Sequence, residues 1–390
     1  MGVPPRAVRA ESGPKCPSGQ DRRSVPAAGG SRRMNWTRPT AVPRYGTIGT
    51  HGKVVTMSHQ TPATHRPLTT ALAEAAAMAG HAPSVHNTQP WRWRVLPDAL
   101  ELRVARDRQL TATDPEGELL TLSCGAALQH ARLALAAEGW TATVHRMPDP
   151  ADPDLLARLT DPQPIGADPD AMRMVQCMQV RHTDRRPVSG EPVADDTLSA
   201  IASAAGREGA RLEILDRDQV LQLAASASHA ATVEAEDSQL REELDYWTSR
   251  AGGMGLTPEV LPEQPPQTTV PGRDFGRPGT LPVGPGHDQA ASYGLLYGEE
   301  DEPVSWLRAG EALSAAWLTA TRLGVSAVPL SGVVEVPATR QTLRQVLAGL
   351  GYPYLVLRLG IADPAHAGPP HTPRLPREQV VDTSAVDGGA

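Results

Sequence analysis

The sequence predicts an α+β protein built from two similar halves, and two observations support this prediction. Segments that favour helices alternate with segments that favour strands along most of the 390 residues. One helical segment also occurs twice, because residues 125–142 and 310–327 align without a gap. Hydrophobic residues make up 40% of the chain, so each half can bury a core of its own.

The repeated segment carries the argument for duplication. Its closing glycine is informative, because a glycine often ends a helix in the left-handed conformation. A β-prone segment follows in both copies, at Trp140–Arg146 and Val325–Pro329. We therefore expect two tandem halves, at about 65–165 and 170–385. The identical pairs are Gly125/Gly310, Ala127/Ala312, Leu128/Leu313, Ala131/Ala316, Leu133/Leu318, Gly139/Gly324 and Ala142/Ala327.

The elements of the first half follow from its apolar pattern. Leu68–Ala79 predicts a helix, Arg92–Leu96 and Leu100–Ala105 predict strands, and a long apolar helix should end at Ala137. In the second half, the predicted elements are a helix at Asp195–Ala205, a strand at Ala210–Leu215, one long helix from about Asp218 to Trp247, helices at 304–323 and 338–348, and a strand at Tyr352–Leu359.

Residues 251–302 interrupt the second half and are rich in glycine and proline. Loops of this length inside a compact domain are uncommon, and they are usually functional or disordered. Two interpretations stay open: a flexible insertion, or a lid folded over a site.

Charge divides the chain into a basic head and an acidic body. Residues 1–57 contain ten Lys or Arg but only two acidic residues, so their net charge is about +8, whereas the whole chain is at −7. The head lacks hydrophobic periodicity and is expected to be a disordered extension. An alternative is that the working protein starts at Met57. The acidic body argues against nucleic acid as a partner.

Other classes of protein find little support. No run approaches the roughly 20 apolar residues of a membrane span, so no membrane partner is expected. The three cysteines lie far apart and predict free thiols in a reducing compartment, hence a cytoplasmic protein. The histidines show no metal-ligand spacing, so no metal is expected. No Gly-x-Ser-x-Gly turn supports a hydrolase, and no Gly-x-Gly-x-x-Gly predicts a Rossmann site.

The segment from Pro83 to Trp91 is the most informative part of the chain. Its sequence Pro-Ser-Val-His-Asn-Thr-Gln-Pro-Trp holds several polar side chains between two prolines. The prolines restrict the backbone, and polar groups of this kind cannot be buried without partners. We expect a rigid loop that presents hydrogen-bonding groups.

Three later segments complete a set with this loop. Residues 181–186 place arginines four apart around a hydroxyl, at Arg181, Thr183 and Arg185, a pattern suited to phosphate. A solvated turn is the alternative for this cluster. Residues 323–332 run Leu-Gly-Val-Ser-Ala-Val-Pro-Leu-Ser-Gly, and residues 371–377 form a basic segment around Arg374.

Together these segments resemble the flavin nitroreductase family. The first resembles its Pro-Ser-x-x-Asn-x-Gln-Pro-Trp loop, the second its phosphate-binding arginine element, the third its Leu-Gly-x-x-x-x-Pro-x-x-Gly segment, and the fourth its terminal basic element. Thr183 stands where the family usually has Ser, and Thr372 where it often has Lys. The resemblance covers about residues 65–380 without the insertion.

The resemblance implies a fold, a cofactor and a site. The fold would be two tandem nitroreductase-like α/β/α halves that form an intramolecular pseudo-dimer, and the cofactor would be FMN. Only the first half has the Asn loop and only the second the arginines, so one composite site is expected. Arg181, Arg185 and Arg374 would bind the phosphate, His182 would belong to the same element, and Thr183 would bind phosphate or ribityl. Ser84, Asn87 and Gln89 would face the ring edges, and Pro329, Ser331 and Gly332 would carry the backbone past N5.

The implied function is hydride transfer from NAD(P)H, through the flavin, to a small acceptor. No residue of the chain would be catalytic in its own right, because the chemistry belongs to the cofactor. The chain resembles the fused Acg-type branch of the family and would be a monomer. The alternative is a protein that binds FMN under a lid and sequesters it with little turnover.

Overall fold

Two antiparallel-rich sheets flanked by helices make up the computed structural model, which describes residues 66–250, 252–284, 286–363 and 368–387. All of these residues belong to one compact unit, Thr61–Ala390. The predicted basic extension, residues 1–57, lies outside the described residues. Among the described helices, none is long and apolar enough to span a membrane. The α+β prediction is confirmed.

The first sheet has five strands in the order β3-β4-β2-β1-β9. Trp91 and Trp93 alternate inward along β1, and both are fully buried in the core of this sheet. The elements that build this part of the chain are α1 (Leu68–Ala79), β1 (Trp91–Val95), β2 (Leu100–Val104), α2 (Glu118–Ala137), β3 (Trp140–Arg146), β4 (Leu155–Pro164) and α3 (Pro169–Val180), with β9 (Val381–Asp382) and α10 (Ser384–Asp387) from the end of the chain.

The second sheet has four strands in the order β5-β6-β8-β7, and each neighbouring pair is antiparallel. Its central strand β8 is buried along nearly its whole length, as expected for a strand covered on both faces. The elements are α4 (Asp195–Arg207), β5 (Arg211–Ile214), α5 (Arg217–Glu236), α6 (Ser238–Thr248), β6 (Ser292–Gly298), α7 (Pro303–Arg322), β7 (Ser326–Leu330), α8 (Gly332–Glu335), α9 (Pro337–Val346) and β8 (Tyr352–Gly360).

Helices α2 and α7 cross at their two repeated glycines. A Cβ atom added at Gly125 would lie 1.9 Å from the carbonyl oxygen of Leu307, and one added at Gly310 would lie 1.9 Å from that of Leu122. The backbones can approach this closely only because neither residue has a side chain. The crossing therefore joins the two equivalent positions of the duplicated segment.

The end of the chain returns to the first sheet. Strand β9 pairs in parallel with β1, where Trp93 faces Val381. The C-terminal segment thereby passes the Pro83–Trp91 loop on its way, and the amide of Leu375 donates to the Gln89 side chain over 2.9 Å. The first sheet is thus completed by residues from the far end of the sequence.

Three sequence predictions differ from the structure. The single helix expected over Asp218–Trp247 is two helices, because the Asp237 side chain accepts hydrogen bonds from the amides of Gln239 and Leu240 and starts α6. The segment 251–302, expected to be a loop, is not loop throughout, because residues 292–298 form β6. Strand β4 and helix α3 were not predicted at all.

We predict that Gly125→Ala lowers the free energy of unfolding by about 3 kcal/mol, because the added methyl group collides with a backbone carbonyl that cannot move aside. Gly206→Ala is the matched control, since a Cβ there meets nothing within 4 Å. That control should be neutral or stabilise the protein by about 0.4–1 kcal/mol. Urea denaturation measures both, and equal stability of the two variants would contradict the close crossing.

Candidate functional site

A cavity of about 840 Å³ brings together segments that are far apart in the sequence. The Pro83–Trp91 loop, the arginine cluster after α3, the β7–α8 connection, the C-terminal segment and the insertion all contribute to its wall. Nine of the eleven predicted site residues line it, namely Ser84, Asn87, Arg181, Thr183, Arg185, Pro329, Ser331, Gly332 and Arg374. Their contact with a cofactor stays a prediction.

The Pro83–Trp91 loop has a strained backbone. His86, Asn87 and Gln89 have φ values of 45°, 57° and 50°, in the left-handed region that residues with a side chain seldom occupy. Helix α2 supports this conformation, because Ser123 Oγ accepts a hydrogen bond from the Val85 amide over 3.2 Å. Strain of this kind is typically kept at functional sites, where the surrounding structure enforces it.

The side chain of Asn87 joins three segments of the chain. Its Nδ2 donates to the carbonyl oxygens of Gly255 and Pro373 over 3.1 and 2.9 Å, and its Oδ1 accepts from Arg374 over 3.0 Å. Both ends of the amide are therefore engaged by protein. The structure thus places Asn87 at the cavity wall as a tie between the insertion and the C-terminal segment.

Two predicted residues lie outside the cavity lining. Gln89 is buried and donates to the Gly253 carbonyl over 2.6 Å while accepting from the Leu375 amide. His182 is half-buried, its Nδ1 lies 2.9 Å from the Val180 carbonyl oxygen, and its ring packs against His371. Both positions support neighbouring segments, and their predicted contacts with a cofactor remain untested.

Arg181, Arg185 and Arg374 all face the cavity without an acidic partner. Arg181 lies over the ring of Trp317 on α7, 4.4 Å from its centre, and Arg185 donates to the Val260 carbonyl over 3.0 Å. In the described part of the chain, no carboxylate lies within ion-pair distance of any of these three guanidinium groups. The buried Nε atoms of Arg181 and Arg374 also have no hydrogen-bond partner there.

This arrangement is electrostatically unfavourable unless an anion is bound. Burial and the charge of Arg374 lower the pKa of Arg181 to about 9. Burial is the main cause that lowers the pKa of Arg185 to about 10, and the charge of Arg358 is the second cause. Burial alone lowers the pKa of Arg374 to about 10. A buried charge is normally paired, so three unpaired guanidinium groups at one cavity indicate a site for a dianion such as phosphate.

Residues of the insertion between 256 and 278 form part of the cavity wall. The ring of Phe275 lies beside Arg185, and its centre is 5.3 Å from the guanidinium carbon. Arg273 ties the insertion to the body through Glu234, at 3.2 Å, and through a shorter ion pair with Glu335. These three charged residues could not be predicted from the sequence, because no local pattern indicates that α5, α8 and the insertion meet here.

The β7–α8 connection passes directly beneath this ion-pair cluster. A Cβ added at Gly332 would lie 2.9 Å from Glu234 Oε1 and 3.3 Å from an Arg273 nitrogen. Gly332 begins α8, and the first amides of a helix have no acceptor within the helix. The absence of a side chain at Gly332 therefore lets the backbone approach the Glu234–Arg273 ion pair, and the predicted path of this segment past flavin N5 stays a prediction.

Comparison with known proteins finds relatives that align with most of this chain. The chain is 39% identical over 331 residues to Rv3131 of Mycobacterium tuberculosis, provisionally named an NAD(P)H nitroreductase, and covers 93% of that protein. It is 33% identical over 325 residues to acg of the same organism, which has the same provisional name, and covers 97% of it. In each case 82% of this chain is aligned. No family model matches the chain.

Solved structures show a more distant similarity. NfnB of Mycobacterium smegmatis, an FMN-dependent nitroreductase in complex with NADPH, is 15% identical with a TM-score of 0.36, over 55% of this chain and 99% of NfnB. A nitroreductase of Desulfitobacterium hafniense with bound FMN is 16% identical with a TM-score of 0.33, over 52% of this chain and 94% of that one.

We predict that inorganic phosphate stabilises the flavin-free protein through the three arginines. At a phosphate concentration ten times its Kd, linkage should add about 1.4 kcal/mol to the free energy of unfolding. Arg374→Gln should remove most of this gain, whereas Arg211→Gln, at a side chain that is 63% exposed, should keep it. Thermal unfolding in phosphate and in chloride of equal ionic strength is the measurement, and an equal gain in both variants would contradict the anion site.

Proposed function

The chain belongs to the nitroreductase family, and from that premise we propose that it is an FMN-dependent oxidoreductase. It would take electrons from NAD(P)H and pass them to a small acceptor. The observation that carries the proposal is the set of three unpaired guanidinium groups, which faces the same cavity as the Pro83–Trp91 loop. This cavity would combine a phosphate-binding site with space for a flat ring system.

The residues present fit FMN. Arg181, Arg185 and Arg374 would hold the phosphate, since none of them pairs with a carboxylate in the described structure and the Nε atoms of Arg181 and Arg374 have no acceptor there. Thr183 would add a neutral donor to phosphate or ribityl, and Ser84 lines the same cavity. When bound, FMN supplies the acceptance and donation of hydride. The chain supplies binding and orientation.

Asn87 would act on the flavin indirectly, through Arg374, whereas the resemblance implies that its side chain faces the ring edge. Because its amide already bonds Gly255, Pro373 and Arg374, it would orient Arg374 rather than leave both of its polar ends free for the ring. A ligand that contacts the Asn87 amide would have to share or replace these bonds.

We further propose that the chain is an intramolecular pseudo-dimer and functions as a monomer. Two features support this. The duplicated glycines Gly125 and Gly310 meet each other, as equivalent positions do on a two-fold axis. The Pro83–Trp91 loop and the Arg181–Arg186 cluster, which the resemblance assigns to different subunits, line one cavity. We place the protein in the cytoplasm, where the free thiols of Cys124 and Cys177 would stay reduced.

A second function is favoured by one observation. The insertion forms part of the cavity wall and is tied by Arg273, whose side chain is 11% exposed, to both Glu234 and Glu335. A cover held in this way could keep FMN bound while excluding NAD(P)H, so the protein would sequester the cofactor with little turnover.

The absorbance of the purified protein distinguishes these functions. If the protein is an oxidoreductase, it should be yellow, and NADPH should bleach the band near 450 nm within seconds. Yellow protein that only dithionite can bleach would indicate sequestration. Colourless protein that does not bind added FMN would contradict both functions.

We predict that Arg185→Ala lowers FMN affinity by about 1.5–3 kcal/mol, because it removes a charge-assisted hydrogen bond from a partly buried site. Arg211→Ala serves as the control, since this exposed arginine pairs only with Glu299 in the described structure. Fluorescence titration of the apoprotein with FMN measures both affinities. Unchanged FMN affinity in Arg185→Ala would contradict its assignment to the phosphate.

A further inference from the structure

His86 occupies an unusual position in the cavity wall. It lies in the Pro83–Trp91 loop with φ 45° and ψ 23°, and it is only 9% exposed. Its ring faces the edge of Phe275 from the insertion, with 6.5 Å between ring centres. The family resemblance gives this position no role, because the motif leaves it open between Ser and Asn.

Arg273 fixes the tautomer of His86. Its Nη1 lies 3.3 Å from His86 Nε2, and a guanidinium group can only donate hydrogen bonds. Nε2 must therefore accept, so the single ring proton of the neutral histidine lies on Nδ1. Arg273 keeps its charge, because Glu234 and Glu335 both pair with it.

The imidazole is also kept neutral. Burial, then the charges of Arg273 and Arg185, hold the pKa of His86 well below its usual value. Protonation would place a third positive charge between two arginines. The ring therefore offers one fixed donor and no net charge at neutral pH.

The remaining nitrogen faces no protein partner. Among the described residues, the only polar contact of the His86 ring is the one between Nε2 and Arg273. Nδ1 therefore has no hydrogen-bond partner in the described structure, and it is not fully buried. Since His86 lines the cavity, Nδ1–H is available to a molecule inside it. The hydrogen bond that Nε2 accepts from a cation polarises the ring and strengthens Nδ1–H as a donor.

We propose that His86 Nδ1–H donates a hydrogen bond to the carbonyl or nitro oxygen of the electron acceptor, and that Arg273 is the positioning residue that makes this possible. The inference rests on the proposed oxidoreductase function. It assigns the acceptor to small molecules whose oxygen gains negative charge during reduction, such as quinones and nitroaromatics. A donor aimed at that oxygen stabilises the charge as it develops.

The step balances without a proton from His86. A quinone receives a hydride, which carries two electrons and one proton, and becomes a hydroquinone monoanion. That oxyanion accepts the Nδ1–H hydrogen bond and then takes a proton from water. The histidine keeps its proton throughout, so its role is electrostatic.

This assignment gives the insertion a second role. Arg273 belongs to the insertion, so the insertion in the position seen in the structure fixes the tautomer of His86. The insertion would therefore complete the acceptor site.

The first test is independent of activity. ¹⁵N NMR of the histidine-labelled holoprotein at pH 7 should show His86, identified by its loss in His86→Phe, as neutral with the proton on Nδ1. Arg273→Met should shift the population toward the Nε2-protonated tautomer, and Arg273→Lys should preserve the wild-type pattern. Arg277→Met is the matched control, because this arginine ties the same insertion to Asp245 and does not contact His86. A cationic or Nε2-protonated wild-type ring would overturn the proposal.

The second test isolates transfer to the acceptor. The holoprotein is reduced with one equivalent of dithionite and mixed anaerobically with 1,4-benzoquinone, and the return of the 450 nm band is timed. His86→Phe should slow this second-order rate about 100- to 1000-fold. His86→Asn should recover most of it, because Asn tolerates positive φ and carries an amide donor near the position of Nδ1.

The outcomes separate this proposal from the proposed function. Failure of NADPH to bleach the wild-type protein would contradict the oxidoreductase function, but the dithionite-reduced protein would still test His86. If His86→Phe reacts with 1,4-benzoquinone as fast as wild type while retaining FMN and thermal stability, the proposal is wrong. If both Phe and Asn variants are equally slow, the ring itself matters and the donor role is also wrong.

Discussion

The contact between the backbones of α2 and α7 is the constraint on which the rest of the structure depends. Gly125 and Gly310 let the two helices touch without side chains between them. From that crossing, α2 supports the Pro83–Trp91 loop through Ser123, and α7 supplies the Trp317 ring beneath Arg181. The two walls of the cavity are therefore positioned by one close contact, and a wider crossing would separate them.

Charge is distributed unevenly around the cavity that this crossing creates. One end carries Arg181, Arg185 and Arg374 without carboxylates, while under the insertion Arg273 is neutralised by Glu234 and Glu335. The difference assigns different tasks to the two groups of arginines. The unpaired group is suited to an anion from outside the chain, whereas the paired arginine holds the insertion and orients His86.

Much of this arrangement follows from local sequence patterns. The helix at Leu68–Ala79 and the duplicated segment follow from local pattern, and the family resemblance identified three arginines that line the cavity. Features that depend on remote contacts were not evident. The meeting of Arg273 with Glu234, Glu335 and His86 joins four separate elements, and the hydrogen bonds that engage Asn87 come from residues over 160 positions away. The break between the two helices at Asp237 is not evident from the sequence, because this aspartate lies within a continuous helical pattern and acts as the cap of the second helix.

The central claim is that the unpaired guanidinium groups hold the phosphate of FMN. Competition between FMN and riboflavin for the apoprotein tests it most directly, because the two ligands differ only in that phosphate. Charge-assisted hydrogen bonds contribute about 1.5–3 kcal/mol each, so FMN should bind at least roughly 100-fold more tightly than riboflavin. Equal affinities for FMN and riboflavin would show that the arginines do not bind the phosphate, and would contradict the account.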